Sequence, residues 1–387
     1  MKNNLGNISE EICSGCGACV QKCPKQCIRM VENQRGFLVP EIDVETCVGC
    51  GICASICPER NNSNSINDVQ ETWAVTSKEM AVLNESTSGG MFTLLVKQIL
   101  NSNGVVFGCS WDENFRVKHI KIDNISDLSR IQKSKYIQSD TKNTFKEAET
   151  YLKNGANVLY SGTGCQIAGL LSFLGKEYEN LYTVEVACHG VPSPGLFEKY
   201  IKWLESENST SVTGFTFRNK VRHKKGEHFT FYYEDDNGQK HFRFSNEDPF
   251  YASFLQGKTL RDTCYTCKYK ADNHVGDILL SDYWGIEKAL PDFDAKYGAS
   301  AVLIYSNKGK YLFESISGEE IKKQKSSKES VVDYNPSLIK SSDKECKLNY
   351  SLAAPNVIEQ MIPKTSIKNK MINYIPEWLK YGVLKKL

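Results

Sequence analysis

The sequence predicts a multidomain chain of mixed α+β and α/β class, and three observations carry that reading. One cysteine spacing occurs twice between residues 13 and 57. Strand-like apolar runs alternate with helical patterns from Thr72 to Asn208, and after Ser209 the pattern turns to closely spaced strands. The expected units are therefore 1–66, 72–208, 209–330 and 331–387. A chain of 387 residues is long for one domain, so such a division is natural.

The first unit is defined by Cys13, Cys16, Cys19 and Cys23-Pro24, repeated as Cys47, Cys50, Cys53 and Cys57-Pro58, each 34 residues after its counterpart. Three thiolates at this spacing wrap one face of a [4Fe-4S] cube, and in two-cluster proteins the cysteine before proline closes the other cube. Cys13, Cys16, Cys19 and Cys57 are thus assigned to one cluster, and Cys47, Cys50, Cys53 and Cys23 to the other, in a small ferredoxin-like 2[4Fe-4S] module. Gly15, Gly17, Gly49 and Gly51 let the backbone fold tightly around inorganic sulfide. The competing readings are a disulfide framework or a zinc site, but zinc needs only four of the eight thiolates. Cys27 falls outside the repeat, because Asn61 stands 34 residues later, and reads as a small buried side chain. The segment Ile28 to Ile42, turning at Gly36, reads as a hairpin covering the clusters.

Composition excludes some classes. A net charge of +2 gives no case for nucleic acid, and no run approaches the length that spans a bilayer. The start MKNNLGNISEEIC lacks the apolar core of a signal peptide, and the fifteen cysteines cluster at metal-ligand spacing, so a reducing, cytoplasmic setting is expected.

The polar stretch from Glu59 to Glu71 reads as a linker. WAVTS, VVFGCSW, NVLYSG and LYTVEVAC then read as strands, interleaved with helices in MFTLLVKQIL, TFKEAETYLKNG, CQIAGLLSFLG and LFEKYIKWLES. This alternation predicts βαβ units and a largely parallel sheet. Beyond Ser209, VTGFTFRNK and a hairpin turning at Asp236-Asn237-Gly238 lead to a short helix in PFYASFLQG and strands in DILLSDYW and ASAVLIYS. Lys322 to Lys328 reads as a solvated connector. The stretch from Asn356 reads as helices broken at Pro363 and Pro376; its end, WLKYGVLKK, suits either a membrane interface or, more simply, docking on its own protein.

Cys165 opens a helix, Cys188 ends a strand, and Cys264 and Cys267 form a CxxC pair. Spacing leaves two readings open: a third cluster, or a zinc half-site with two core cysteines. Two glycine-rich turns, Ser86 to Gly90 and Ser161 to Gly164, precede helices and would aim backbone N–H groups at an anion; neither matches GxGxxG, and plain loop chemistry is the simpler reading. The basic run Arg218, Lys220, Arg222, His223, Lys224 and Lys225 would hold an acidic ligand or, more simply, be a solvated turn. Cys109 and Cys346 read as structural.

From Ser86 onward the chain resembles the β-subunit family of coenzyme F420 hydrogenase and dehydrogenase, through STSGGMFT, KSKYIQS, SGTGCQIAGL, ACHGVPSPGLFEKY, CYTCKY and GDILLSDYWGI. The resemblance implies an α/β flavin-binding domain holding FAD through Ser88, Gly89, Gly90, Ser134, Lys135, Tyr136, Gly162 and Thr163, with Asp277, Asp282 and Trp284 near the flavin. It also implies a third [4Fe-4S] cluster on Cys165, Cys188, Cys264 and Cys267. The chain departs from the family pattern at Gly164, where proline is usual, and at VRHKKGEH, which lacks the usual Gly-Trp; the second departure points away from F420 itself as the substrate.

The expected function is that of an FAD- and iron-sulfur-dependent oxidoreductase, exchanging electrons with a donor such as ferredoxin and acting on a small organic substrate. The rival expectation is an electron-relay subunit that serves a partner and has no substrate site of its own. A sensor of oxygen or iron, without flavin, is a third reading. Homo-oligomerisation is compatible with the sequence, which names neither the substrate nor a catalytic residue.

Overall fold

The computed structural model describes residues 5, 8–9, 11–61, 68–220 and 230–364. Its strands are β1 (Ile28–Glu32), β2 (Leu38–Ile42), β3 (Glu71–Ser77), β4 (Val105–Trp111), β5 (Val117–Ile122), β6 (Val158–Gly162), β7 (Leu181–Val186), β8 (Val212–Thr216), β9 (Thr230–Asp235), β10 (Lys240–Phe244), β11 (Ile278–Asp282), β12 (Ser300–Ile304) and β13 (Ile321–Ser326).

The N-terminal module is built on an antiparallel β1–β2 hairpin, with Gly36 at φ 78° in its turn. Two one-turn helices, Ala18–Lys22 and Ile52–Ser55, follow left-handed Gly17 and Gly51 at matching places in the repeat. Only glycine enters that conformation at little cost, so the duplication in sequence becomes a duplication in backbone.

The main sheet has eight strands in the order β13-β3-β12-β11-β7-β6-β4-β5. Its centre, β11-β7-β6-β4, is parallel, and both flanks are antiparallel. The sheet is thus mixed rather than largely parallel. Strands from beyond residue 209 complete a sheet begun before residue 208, because β11 pairs directly with β7. Alternation along the strands buries both faces. Val106, Leu159, Val184, Ile278 and Val302 meet Leu94, Leu95 and Ile99 of the helix Met91–Asn101. Phe107, Tyr160 and Leu181 meet Phe145 and Leu152 of the helix Thr144–Lys153, and Ile167, Leu170 and Phe173 of the helix Gly164–Leu174.

A smaller antiparallel sheet, β10-β9-β8, packs an aromatic core of Phe197, Phe215, Phe217, Phe231 and Phe250. The Phe215 and Phe217 rings are 4.8 Å apart and edge-to-face, the arrangement that ring quadrupoles favour. Asp235 accepts from the backbone N–H groups of Asn237 and Gln239, which fixes the expected hairpin turn with Gly238 at φ 74°.

Two elements differ from expectation. The segment expected as a charged connector is β13, an edge strand in register with β3 from Ile321↔Ser77 to Ser326↔Thr72. Its lysines are exposed, and Lys323 and Lys325 lie over the Trp73 ring. Lysines on an edge strand block pairing with other chains, and here they mask the strand pattern. The described part of the expected C-terminal helices holds only one turn, Glu359–Met361, because prolines at 355 and 363 bracket it. Pro376 and WLKYGVLKK lie outside the described residues, as do Arg222 to Lys225. Among the described residues no helix is long and apolar enough to cross a membrane.

Candidate iron-sulfur and cofactor site

The fold gathers the duplicated cysteines into two sets. Cys13, Cys16, Cys19 and Cys57 line one cavity, together with Met30 and Pro40 from the hairpin. Cys23, Cys47, Cys50 and Cys53 line a second cavity, together with Ile28 and Ile42. In each, three cysteines come from one repeat and the fourth from the other. Burial, reinforced by neighbouring thiolates, pushes Cys16 up to about 12 and raises Cys19 and Cys57. Such thiols stay protonated unless a cation offsets the desolvation cost, so binding iron would release protons. Among the described residues no three His, Cys, Asp or Glu side chains converge closely enough to grip a single ion. A tetrahedral zinc site would need sulfurs about 3.8 Å apart, given Zn–S bonds of about 2.3 Å, whereas a cubane is held by sulfurs spread around a larger body.

The two sites differ in exposure. Cys50 is exposed, and Val48, which lines the same cavity, is 61% exposed. The first site instead faces the main domain. Arg261 Nε donates to the Cys13 carbonyl at 2.6 Å, Thr141 Oγ1 to the Cys16 carbonyl at 2.9 Å and Ser172 Oγ to the Ile56 carbonyl at 2.6 Å. These bonds dock the ligand loop backbone-first on the helix Gly164–Leu174 and its surroundings.

Gly169 of that helix makes the approach possible. A Cβ there would lie 2.9 Å from Cys16 Cβ and 3.0 Å from its Sγ, closer than carbon atoms tolerate. Gly169→Val is therefore expected to push the ligand loop away and lower the iron bound by the purified protein, with Gly169→Ala intermediate. Metal analysis beside far-ultraviolet circular dichroism checks this; full iron content in Gly169→Val would count against the packing.

Cys165, Cys188, Cys264 and Cys267 lie near one another at the carboxyl ends of β6 and β7. Cys165 is in Coulombic reach of Cys188 and Cys267, and Cys264 of both. Burial again raises all four, Cys264 to about 12 and Cys267 to about 11. Lys270 is buried and donates to the Cys188 carbonyl at 2.8 Å.

Glu59 joins this set to the first site. It is in Coulombic reach of Cys16 and Cys57 on one side and of Cys165 and Cys267 on the other. Tyr269 Oη donates to its carboxylate at 3.2 Å, and Lys268 approaches it at 3.8 Å. Desolvation holds the Glu59 carboxyl above its ordinary range. Sequence reading placed Glu59 in a linker, and only its position just after Cys57-Pro58 hinted otherwise. Gly169, Arg261 and Tyr269 had no signal of spacing at all.

The residues expected around a flavin divide into two groups. Gly162, Thr163, Asp282 and Trp284 lie at the carboxyl edge of β6 and β11, and the Ser88-Gly89-Gly90 loop reaches the same edge beside Ser300 of β12. Thr163 caps the helix Gly164–Leu174 in a reciprocal capping box with Gln166. Asp277, by contrast, is at the opposite end of β11, where its carboxylate accepts from Thr183 and Ser306. The structure does not bring Asp277 together with Asp282, because the extended strand β11 runs between them and ends at Asp282. Several edge groups are already engaged within the protein. Ser88 Oγ donates to the Ala299 carbonyl at 2.7 Å, the Gly89 N–H to Ser300 Oγ at 3.1 Å and Lys135 Nζ to the Gln132 carbonyl at 2.8 Å. Tyr136 stacks on Phe254 with centroids 5.0 Å apart.

From the basic run, Arg218 is buried against Asp282, with its guanidinium 5.4 Å from the Trp284 ring centre. Lys220 donates to the carbonyls of Leu83, Ser88 and Tyr297 at 2.6–2.9 Å. Desolvation lowers its ammonium to about 8. Neither is a solvated surface charge. Cys109 is half-buried in β4, whereas Cys346 is exposed in a one-turn helix.

Comparison with known proteins agrees with these two parts. Residues 12–61 match the family model of a 4Fe-4S dicluster domain, and residues 155–329 match that of the C terminus of the coenzyme F420 hydrogenase/dehydrogenase β subunit. A search of curated proteins found no match. Among solved structures, one similar chain comes from the xenon-derivatised F420-reducing [NiFe] hydrogenase complex of Methanosarcina barkeri. The TM-score is 0.45 at 15% identity, over 67% of this chain and 82% of that one. The chain thus joins an N-terminal 4Fe-4S dicluster domain to a domain of the kind found at the C terminus of the coenzyme F420 hydrogenase/dehydrogenase β subunit.

Proposed function

We propose that the chain is an iron-sulfur flavoprotein oxidoreductase that exchanges electrons with a redox partner such as ferredoxin and acts on a small organic substrate. In this reading Cys47, Cys50, Cys53 and Cys23 hold an outer [4Fe-4S] cluster and Cys13, Cys16, Cys19 and Cys57 a middle one. Cys165, Cys188, Cys264 and Cys267 hold an inner one, and FAD occupies the carboxyl edge near Gly90, Ser134, Tyr136, Gly162, Thr163 and Trp284. Bound there, cubanes supply one-electron chemistry and a flavin two-electron chemistry.

The observation that carries the reading is the shared wall between two thiol sets. Cys16 packs on Gly169 in the helix that Cys165 opens, and Glu59 lies in reach of both sets. The protein's own part is spacing: it exposes Cys50 and buries Cys13, Cys16 and Cys57. The exposed Val48 gives a partner an apolar contact beside Cys50.

Protein purified anaerobically is expected to carry about twelve irons, four per cubane, with one FAD. Cys165→Ala should lose about four of those irons and slow flavin reduction, while the N-terminal clusters stay. Unchanged iron and unchanged flavin reduction would contradict the inner site. Colourless, zinc-loaded protein would sink the whole reading.

One observation favours the relay reading, in which the chain serves a partner enzyme. Ser88, Gly89 and Lys135 already spend polar groups on the protein itself. Turnover that appears only when a partner enzyme is added is the result that reading expects.

A further inference from the structure

Cys27 has no counterpart in the repeat, yet it lines the second cavity together with Cys23, Cys47, Cys50 and Cys53. Its Sγ is 3.5 Å from Cys23 Sγ. The turn between them is tight: Gln26 adopts φ 51°, a left-handed conformation that side chains rarely take, and its N–H bonds the Cys23 carbonyl at 3.2 Å. Backbone N–H groups of Lys25, Gln26 and Cys27 also address the Cys23 sulfur. At the first site the equivalent residue, Asn61, turns away and donates to the Ser55 carbonyl. The two sites therefore differ by one sulfur.

We propose that Cys27 is a non-ligand thiol of the second site, whose S–H donates a hydrogen bond to the Cys23 sulfur and raises the reduction potential of that site above the value it would otherwise have. A thiolate on iron carries no proton, so between these two atoms Cys27 is the donor and Cys23 the acceptor. A reduced cubane is more negative than an oxidised one, and hydrogen bonds to its sulfurs stabilise the extra charge. The strained turn at Gln26 holds the donor in place. The inference rests on the two N-terminal clusters alone and needs neither a third cluster nor a flavin.

The test is a potentiometric titration of the full chain, followed by electron paramagnetic resonance, with the second-site signal identified by its loss in Cys47→Ala. Cys27→Ala is expected to keep the wild-type iron content. Its second-site potential should fall by about 59 mV, a tenfold shift in a one-electron equilibrium, while the first site stays put. Cys27→Ser, which keeps a hydroxyl donor, should recover part of the fall. Loss of about four irons in Cys27→Ala would make Cys27 a ligand and overturn the proposal. An unmoved or raised second-site potential would overturn it as well.

Discussion

Replacing Cys57 by alanine is expected to empty the site built on the first repeat, although Cys57 belongs to the second. The crossed arrangement follows from where the chain turns. Each run of three cysteines wraps its own cavity, but the cysteine before proline leaves the short helix on the far side and lines the other cavity. Losing one of four ligands opens an iron corner to solvent, so the expected effect is loss of most of one cluster. Four single variants separate the alternatives. Crossed ligation predicts that Cys57→Ala and Cys13→Ala leave the same residual spectrum, and that Cys23→Ala and Cys47→Ala share the other. Uncrossed ligation would pair Cys57→Ala with Cys47→Ala. The readout is iron content with the electron paramagnetic resonance of the reduced protein.

Breaking the pair between Arg218 and Asp282 is expected to cost about 3 kcal/mol of stability. Arg218 is almost fully buried, and its charge is held by Asp282 at the end of β11 and by the face of Trp284. The nearby Asp282 charge pushes the guanidinium above its ordinary range despite burial. Arg218→Met would leave the Asp282 carboxylate in a largely dry pocket without its partner. The double variant Arg218→Met/Asp282→Leu removes both charges and should recover much of the loss. Denaturant midpoints of the four proteins in the cycle check this. A double variant no more stable than Arg218→Met would show that shape, not charge, holds that edge together.

How much was legible beforehand varied with the range of the forces involved. The cysteine sets, the hairpin β1–β2, the turn at Gly238 and most strands of the main sheet were readable, because spacing, glycine and alternation act within a few residues. Strand β13 was not: its stability comes from pairing with β3 far away in the chain, and its lysines serve as a guard along the edge rather than as a solvated link. Lys220 likewise reads as a surface charge until three carbonyls from distant loops surround it.

By itself the sequence determined the ligand chemistry, since a cysteine at a fixed interval carries its soft donor wherever the chain goes. It also determined the positions where only glycine turns. What the tertiary structure decided is adjacency: that Cys16 rests on Gly169, and that Glu59 stands within reach of two thiol sets. Contacts between residues far apart in the chain depend on how whole elements pack, and no local interval records that.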